Sequence, residues 1–224
     1  AAKVVPLLNE SLAKLCAAHP DRFVGFATIA LQHPDLAVQQ LEDGIKKLGL
    51  HGGSIGCVCA GEELSARKFD PFWAKAEELG ALLFMHPQDS SRVTGIANRV
   101  KGNGYLDNTI GNPLETTIAL SHMIFEGVFD RFPNLKVCGA HAGGYLLSYA
   151  GRSDAVCVTF PDRCTPGLPK QKPTDYLKKI YVDSMTFNAE GLQRLASAGA
   201  MGFALEAAPR TTREVSAESG SPLA

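Results

Sequence analysis

The segment Asp70-Pro-Phe-Trp-Ala-Lys-Ala-Glu-Glu-Leu-Gly-Ala-Leu-Leu-Phe-Met-His86 contains the pattern that decides the fold. Its first part predicts an amphipathic helix with Asp70 as N-cap, Pro71 at the first helical position and Gly80 at its end. Residues 81–85 form an unbroken apolar run, which is typical of a strand buried on both faces of a parallel sheet. A helix followed at once by such a strand indicates an α/β protein.

The same alternation of strand and helix continues on both sides of this segment. The predicted strands are 22–29, 53–59, 81–85, 135–140, 180–183 and 201–205. The predicted helices are 33–49, 70–80, 112–127 and 189–198. About six strands with helices between most of them favour a parallel α/β sheet or a TIM (β/α)8 barrel.

The composition limits the class of partner. The 224 residues are 45% hydrophobic and 20% charged, which is ordinary for a globular chain and long enough for one large domain. The 22 Lys and Arg residues nearly balance the 23 Asp and Glu residues, so no general attraction to nucleic acid or anionic membranes is expected. No apolar run reaches the length of a membrane-spanning helix. We therefore expect small molecules as partners.

The cysteines are predicted to be free thiols. Six cysteines in a chain of this length make a sparse disulfide framework, and Cys57-Val-Cys59 lacks the C-x-x-C spacing of zinc and redox sites. Free thiols indicate a reducing compartment, so we expect a cytoplasmic protein. The six positions are 16, 57, 59, 138, 157 and 164.

Two histidines directly follow predicted strands. His86 comes after 81–85, and His141 comes after 135–140. Because the carboxyl ends of parallel strands meet at the active-site face of α/β folds, the two histidines are expected to share a pocket. An imidazole there can bind zinc or act as an acid or base, although a buried, hydrogen-bonded histidine is the alternative interpretation.

Two further residues are weaker candidates. Arg152 could hold a substrate carboxylate through two parallel hydrogen bonds. Asp183 ends a predicted strand and could be a metal ligand or general base, but a turn or capping role fits equally. The pair Gly143-Gly144 belongs to neither phosphate-binding glycine pattern, and no G-x-S-x-G motif of serine hydrolases occurs in the sequence.

Four segments together resemble a known family. They are Phe84-Met-His-Pro87, Ile110-Gly-Asn-Pro-Leu-Glu-Thr-Thr117, Phe132-Pro-Asn-Leu-Lys-Val-Cys-Gly-Ala-His-Ala-Gly-Gly144 and Tyr181-Val-Asp-Ser184. They look like the decarboxylase branch of the amidohydrolase superfamily, the group around aminocarboxymuconate semialdehyde decarboxylase and the resorcylate and carboxyvanillate decarboxylases. The resemblance covers roughly residues 20 to 195.

The resemblance implies a metal-dependent (β/α)8 barrel that releases carbon dioxide from a small aromatic or unsaturated carboxylic acid. It implies that His86 is a metal ligand and that His141 is the catalytic histidine. It implies that Arg152 holds a substrate carboxylate in the neighbouring subunit's site, and hence a homodimer. The divalent ion would be zinc or, as the second choice, manganese. A cation and a proton donor are what decarboxylation needs, because the reaction leaves electron density on carbon.

The sequence departs from the family pattern at both ends. The family's first strand carries a His-x-His pair of ligands, and no such pair occurs here. Its last ligand is an Asp, whereas residues 201–209 hold only Glu206 as a carboxylate. We therefore expect an incomplete barrel over 1–206, truncated at its N-terminus and divergent or frame-shifted near its C-terminus, and a disordered tail over 207–224. Two alternatives to an active decarboxylase remain, namely a metal-dependent hydrolase on the same barrel and an inactive fragment or pseudoenzyme.

Overall fold

The computed structural model of the protein describes residues 1–88, 98–197 and 201–202. Glu206 and the tail predicted over 207–224 lie outside these described residues. The strands are β1 (Ala27–Thr28), β2 (Gly52–Ile55), β3 (Val58–Cys59), β4 (Glu62–Glu63), β5 (Leu82–Met85), β6 (Lys136–Gly139), β7 (Ile180–Val182) and β8 (Met201–Gly202). The α-helices are α1 (Val4–Ala18), α2 (Pro34–Lys46), α3 (Asp70–Glu78), α4 (Asn112–Phe125), α5 (Val128–Arg131), α6 (Ala150–Thr159), α7 (Pro173–Leu177) and α8 (Ala189–Ser197).

The centre of the fold is a parallel sheet. Six of the described strands form it in the order β1-β2-β5-β6-β7-β8, and every pairing is parallel. The strands β3 and β4 form a separate antiparallel hairpin. Each step from one sheet strand to the next includes at least one helix, which parallel neighbours require because the chain must cross back between them. The predicted α/β class with about six parallel strands is confirmed.

One face of the sheet holds the apolar core. Gly53, Leu83, Val137 and Ile180 lie side by side in the strand register, and the three larger side chains are at most 1% exposed. Helices cover this face, since a Cβ placed on Gly53 would lie 3.3 Å from the Leu41 side chain of α2. Side chains of α3 and α4 complete the core, among them Phe72, Trp73, Leu120 and Met123.

The opposite face of the sheet carries more polar and aromatic side chains. Alternate residues of a strand point to opposite faces, so Thr28, Ser54, Phe84, Cys138 and Tyr181 share this second face through the same register. Thr28 and Ser54 are exposed, whereas Phe84 and Tyr181 are half-buried. Although Cys138 on this face is buried, the second face is less closely packed than the first.

Several predicted boundaries differ from the structure. Asp70, expected as a helix cap, is instead the first residue of α3, and no cap side chain bonds to the start of α3 or of α4. A wide helical turn over Asp107–Gly111 runs directly into α4, so Asn112 is already helical. The helices α1, α5, α6 and α7 have no counterpart among the predicted helices. In the described part of the chain, no helix combines the length and apolar character that a membrane crossing would require.

The cysteine prediction is wrong for one pair. Cys157 and Cys164 form a disulfide, because the short turn Pro161–Arg163 after α6 brings their Cα atoms to 5.7 Å. Cys16, Cys57, Cys59 and Cys138 are free, as predicted. Burial raises the pKa of Cys57 and of Cys138 to about 12, so both thiols stay protonated at neutral pH.

Candidate functional site

The structure brings the two strand-end histidines together. His86 follows β5 and His141 follows β6, and these strands are neighbours in the sheet with Met85 opposite Gly139. The imidazole centroids are 4.9 Å apart and the ring planes are inclined by 57°. The pair thus lies at the carboxyl edge of two adjacent parallel strands, which is where this class of fold places reactive groups.

His86 is the exposed member of the pair. Its Nδ1 lies 2.7 Å from the carbonyl oxygen of Pro87, and because a carbonyl can only accept, Nδ1 carries the proton in the neutral ring. The lone pair is then on Nε2, which is the atom that can bind a cation or accept a proton. Phe84 lies 6.3 Å from the His86 ring and also 6.3 Å from Phe26, so aromatic surface leads along the second face of the sheet to this histidine.

His141 is half-buried and chemically poised. Burial lowers the pKa of its imidazole, the neighbouring His86 lowers it further, and the Asp183 carboxylate opposes both effects. Its Nδ1 is buried without a hydrogen-bond partner among the described residues. An unsatisfied buried ring nitrogen is unusual in native proteins and marks a place where a ligand or ion would gain a contact. In its neutral form His141 can accept a proton, and in its protonated form it can donate one.

Asp183 directly follows β7, and its carboxylate is hydrogen-bonded to the backbone. It is 5% exposed, and its carboxylate accepts hydrogen bonds from the backbone N–H groups of His141, Ala142 and Met185 at 3.0, 2.8 and 3.1 Å. Of the two roles that the sequence left open for Asp183, the turn role is the one that the structure shows. No pattern in the sequence indicates that the partner of Asp183 is the backbone of His141.

Arg152 is not brought to the histidine pair. It lies exposed in the first turn of α6, and within the described residues it makes no hydrogen bond or ion pair. Nothing in the described chain therefore engages its guanidinium group.

The described residues do not complete a metal site. Within 1–88 and 98–197, no three His, Cys, Asp or Glu side chains are arranged so that they could hold one ion. His86 and His141 offer two nitrogens, whereas a catalytic zinc site ordinarily has three protein ligands. The residues present thus do not fit a complete divalent-cation centre by themselves.

A second polar cluster was not predicted as a site. His122 Nδ1 lies 2.6 Å from Glu126 Oε1, and Ser65 donates to the other oxygen of the same carboxylate at 2.5 Å. The carboxylate stands between serine and histidine, so the histidine cannot act on the serine as the base of a hydrolytic triad does. This arrangement joins the end of α4 to the segment after β4.

Comparisons with known proteins agree on one family. The amidohydrolase family model matches residues 1–158. The 2-amino-3-carboxymuconate-6-semialdehyde decarboxylase of Dictyostelium discoideum is 34% identical over 190 residues, which are 85% of this chain and 51% of that protein. A gamma-resorcylate decarboxylase of Rhodococcus jostii is 30% identical over 160 residues, 65% of this chain and 47% of that protein. The chain thus spans about half the length of the curated relatives that it matches.

The solved structures agree on the scaffold. The 5-carboxyvanillate decarboxylase of Sphingomonas paucimobilis superposes with a TM-score of 0.81 at 24% identity, over 99% of this chain and 68% of that one. A dihydroxybenzoic acid decarboxylase of Polaromonas sp. was solved with manganese and the inhibitor 2-nitroresorcinol. It superposes with a TM-score of 0.80 at 25% identity, over 90% of this chain and 63% of that one. These similarities confirm the predicted TIM-barrel scaffold, of which the described residues form a part.

Proposed function

Since the chain belongs to the amidohydrolase family, we propose that it carries part or all of a non-oxidative decarboxylase for a small aromatic or unsaturated carboxylic acid. The observation that carries this proposal is the contact between His86 and His141, in a chain 34% identical to a decarboxylase. The aromatic surface of Phe84 and Phe26 beside His86 supports an aromatic or conjugated substrate, because flat rings stack on it favourably.

His141 is the proposed catalytic residue. Loss of carbon dioxide leaves the electron pair of the broken C–C bond on the substrate carbon, and that carbon must take up one proton. The lowered pKa of His141 makes its protonated form a ready donor, and the neutral ring can then be reprotonated from water.

His86 is the proposed metal ligand, through Nε2. A divalent cation supplies positive charge beside the substrate carboxylate when it is bound. We propose zinc, and manganese is the alternative because a related decarboxylase was solved with it. Among the described residues we assign only His86 as a ligand, and no group of three possible ligands occurs there, so the other ligands have to come from outside them.

Arg152 is the proposed substrate-binding residue of a homodimer. An exposed guanidinium group without a partner in the described chain suits a carboxylate presented from another subunit, which Arg can hold through two parallel hydrogen bonds. We further propose that residues 1–206 form one partial barrel domain and that the protein is cytoplasmic. The four free thiols support that location, whereas the disulfide does not.

One observation favours a second candidate function. Because the described residues lack a three-ligand cluster, the chain as it stands could be a decarboxylase relative that binds no metal and turns over no substrate. The two candidates differ in metal content and in carbon dioxide release, and both quantities can be measured on the same purified protein.

The test is carbon dioxide release from carboxyl-¹³C-labelled 2,6-dihydroxybenzoate and from 2-amino-3-carboxymuconate semialdehyde, with zinc or manganese supplied. We expect release that falls by roughly 100-fold or more in His141→Ala, and bound metal that is lost in His86→Ala. His122→Ala is the matched control, since this histidine lies in the second polar cluster, and it should keep both properties.

Each negative result has its own meaning. Stoichiometric metal without release from either acid would refute the decarboxylase and would direct the search to ester and lactone hydrolysis. Absence of both metal and release would favour the inactive candidate.

A further inference from the structure

The turn after β6 has an uncommon backbone. Residues 141–144 have consecutive positive φ values of 57°, 57°, 72° and 66°. Glycine adopts this conformation readily, but His141 and Ala142 carry a Cβ that makes the left-handed region unfavourable. Two such residues in succession need an outside contact that stabilises them.

Asp183 supplies that contact. Its two carboxylate oxygens accept the N–H groups of His141 and Ala142 at 3.0 and 2.8 Å, and its N–H lies 3.4 Å from the Gly139 carbonyl oxygen. Successive N–H groups in such a turn form a small concave site for an anion, and a buried carboxylate makes stronger hydrogen bonds than a neutral acceptor. We propose that Asp183 is a positioning residue, which holds the turn in its left-handed form and thereby directs the His141 imidazole toward His86.

The glycine half of the turn is fixed by packing instead. A Cβ on Gly144 would lie 2.1 Å from the Pro113 carbonyl oxygen, and a Cβ on Gly143 would lie 2.9 Å from the Val182 side chain. Gly143 and Gly144 are therefore held by close packing against β7 and α4. Loss of the Asp183 charge should therefore release residues 141 and 142 while 143 and 144 stay in place.

The consequence concerns the direction of one side chain. If His141 relaxed to a negative φ, its Cα–Cβ bond would leave the backbone in a different direction, and the 4.9 Å contact with the His86 ring would be lost. This inference rests on the proposed function only where it predicts activity. The geometry can be tested without any substrate.

The experiment compares three variants of the full chain by NMR. The readouts are the ring-to-ring nuclear Overhauser effect between His86 and His141, and the backbone chemical shifts of residue 142. Asp183→Asn should lose the ring contact and shift residue 142. Asp154→Asn is the matched control, because Asp154 also accepts a backbone N–H, from Thr174 at 2.9 Å, and its printed hydrogen bonds go to Thr174 rather than to residues 141–144.

The third variant separates positioning from general stabilisation. In Asp183→Asn with Ala142→Gly, the glycine adopts positive φ without the Cβ penalty, so the ring contact should return at least in part. If the Asp183 carboxylate only stabilised the fold in general, Ala142→Gly would not restore the ring contact. If Asp183→Asn does not fold, Asp183→Glu gives the same test, since it keeps the charge but moves the oxygens by one methylene, and the ring contact should again be lost.

The proposal would be overturned if the ring contact persisted in Asp183→Asn, or in Asp183→Glu where that variant is used. It would also be overturned if Asp154→Asn lost the contact equally, or if Ala142→Gly did not restore it. In active protein, Asp183→Asn should lower kcat by about 100-fold, the scale of a misplaced catalytic group, with KM unchanged. Absence of carbon dioxide release from the wild-type chain would refute the proposed function and leave the ring-contact result standing.

Discussion

Tyr176→Phe removes one buried oxygen atom that joins three segments. Tyr176 lies in α7 and is fully buried. Its hydroxyl donates to Asp130 Oδ1 at 2.5 Å and accepts the N–H of Gln171 at 3.1 Å. The other oxygen of Asp130 accepts the N–H of Lys170 at 3.2 Å. The substitution therefore leaves one carboxylate oxygen and one backbone N–H without their partner.

The expected loss is about 2 kcal/mol in the free energy of unfolding, because hydrogen bonds to charged groups contribute roughly 1.5–3 kcal/mol. The aromatic ring is retained, and its contact with Phe129 at a centroid distance of 6.4 Å should persist. Apolar burial then changes little, so the loss reports on the hydroxyl.

The pH dependence gives a sharper signature. Burial and then the bond to Asp130 raise the pKa of Tyr176 from 10.0 to about 12. The folded state thus favours the protonated hydroxyl, so its stabilisation is complete below the unfolded-state pKa and is lost as the pH rises toward the folded-state pKa. The stability difference between wild type and Tyr176→Phe should therefore decrease between about pH 10 and pH 12. The other tyrosines are common to both proteins and cancel.

The assay is urea unfolding followed by fluorescence. Trp73 is the single tryptophan and is fully buried in the core, so its emission reports unfolding directly. Tyr149→Phe is the control, because Tyr149 is 62% exposed and should change stability by less than about 0.5 kcal/mol. A Tyr176→Phe loss no larger than the control's, or a difference that stays constant up to about pH 12, would refute the reasoning.

Two further predictions concern the backbone and the disulfide. Gly144→Ala should destabilise the protein by more than about 1 kcal/mol, because the new Cβ would lie 2.1 Å from the Pro113 carbonyl oxygen. Gly167→Ala is the control, because Gly167 also has a positive φ but has open space around it, and it should lower the stability by only about 1 kcal/mol. If thermal unfolding shows equal losses for the two variants, the clash at Gly144 does not explain the effect. Reduction of Cys157–Cys164, separated by 7 residues, should lower the unfolding free energy by about 2.5 kcal/mol, and Cys157→Ser should abolish that response to reductant in urea titrations.

The sequence predicts those parts of the fold whose signal is local. The apolar run of β5 and the amphipathic α3 before it carry their pattern within a few residues, and both are found where expected. Helix α1 has no such pattern, because it buries only Val5 and Asn9 while apolar side chains such as Leu7 stay 63% exposed. Its apolar residues do not separate one face from the other, and the helix was therefore missed.

One part of the candidate site can likewise be predicted from local sequence signals, and another part cannot. The convergence of His86 and His141 follows from strand order, since both lie within two residues of the ends of neighbouring parallel strands. The link from Asp183 to His141 spans 42 positions and depends on the backbone N–H groups of a left-handed turn. No side-chain pattern encodes such a contact, so the sequence left two roles open for Asp183. The Cys157–Cys164 bond was missed because it depends on how tightly the chain reverses after α6.

The two faces of the sheet leave alternate strand positions under different selection. A change at Leu83 or Val137 disturbs the packed core, so random variation there is removed through loss of the folded protein. Ser54 and Phe84 lie on the second face, where a new side chain would face the proposed ligand site rather than the core. Ligand preference can thus drift, or be selected from a combinatorial library at such positions, while the scaffold that presents the two histidines is inherited intact.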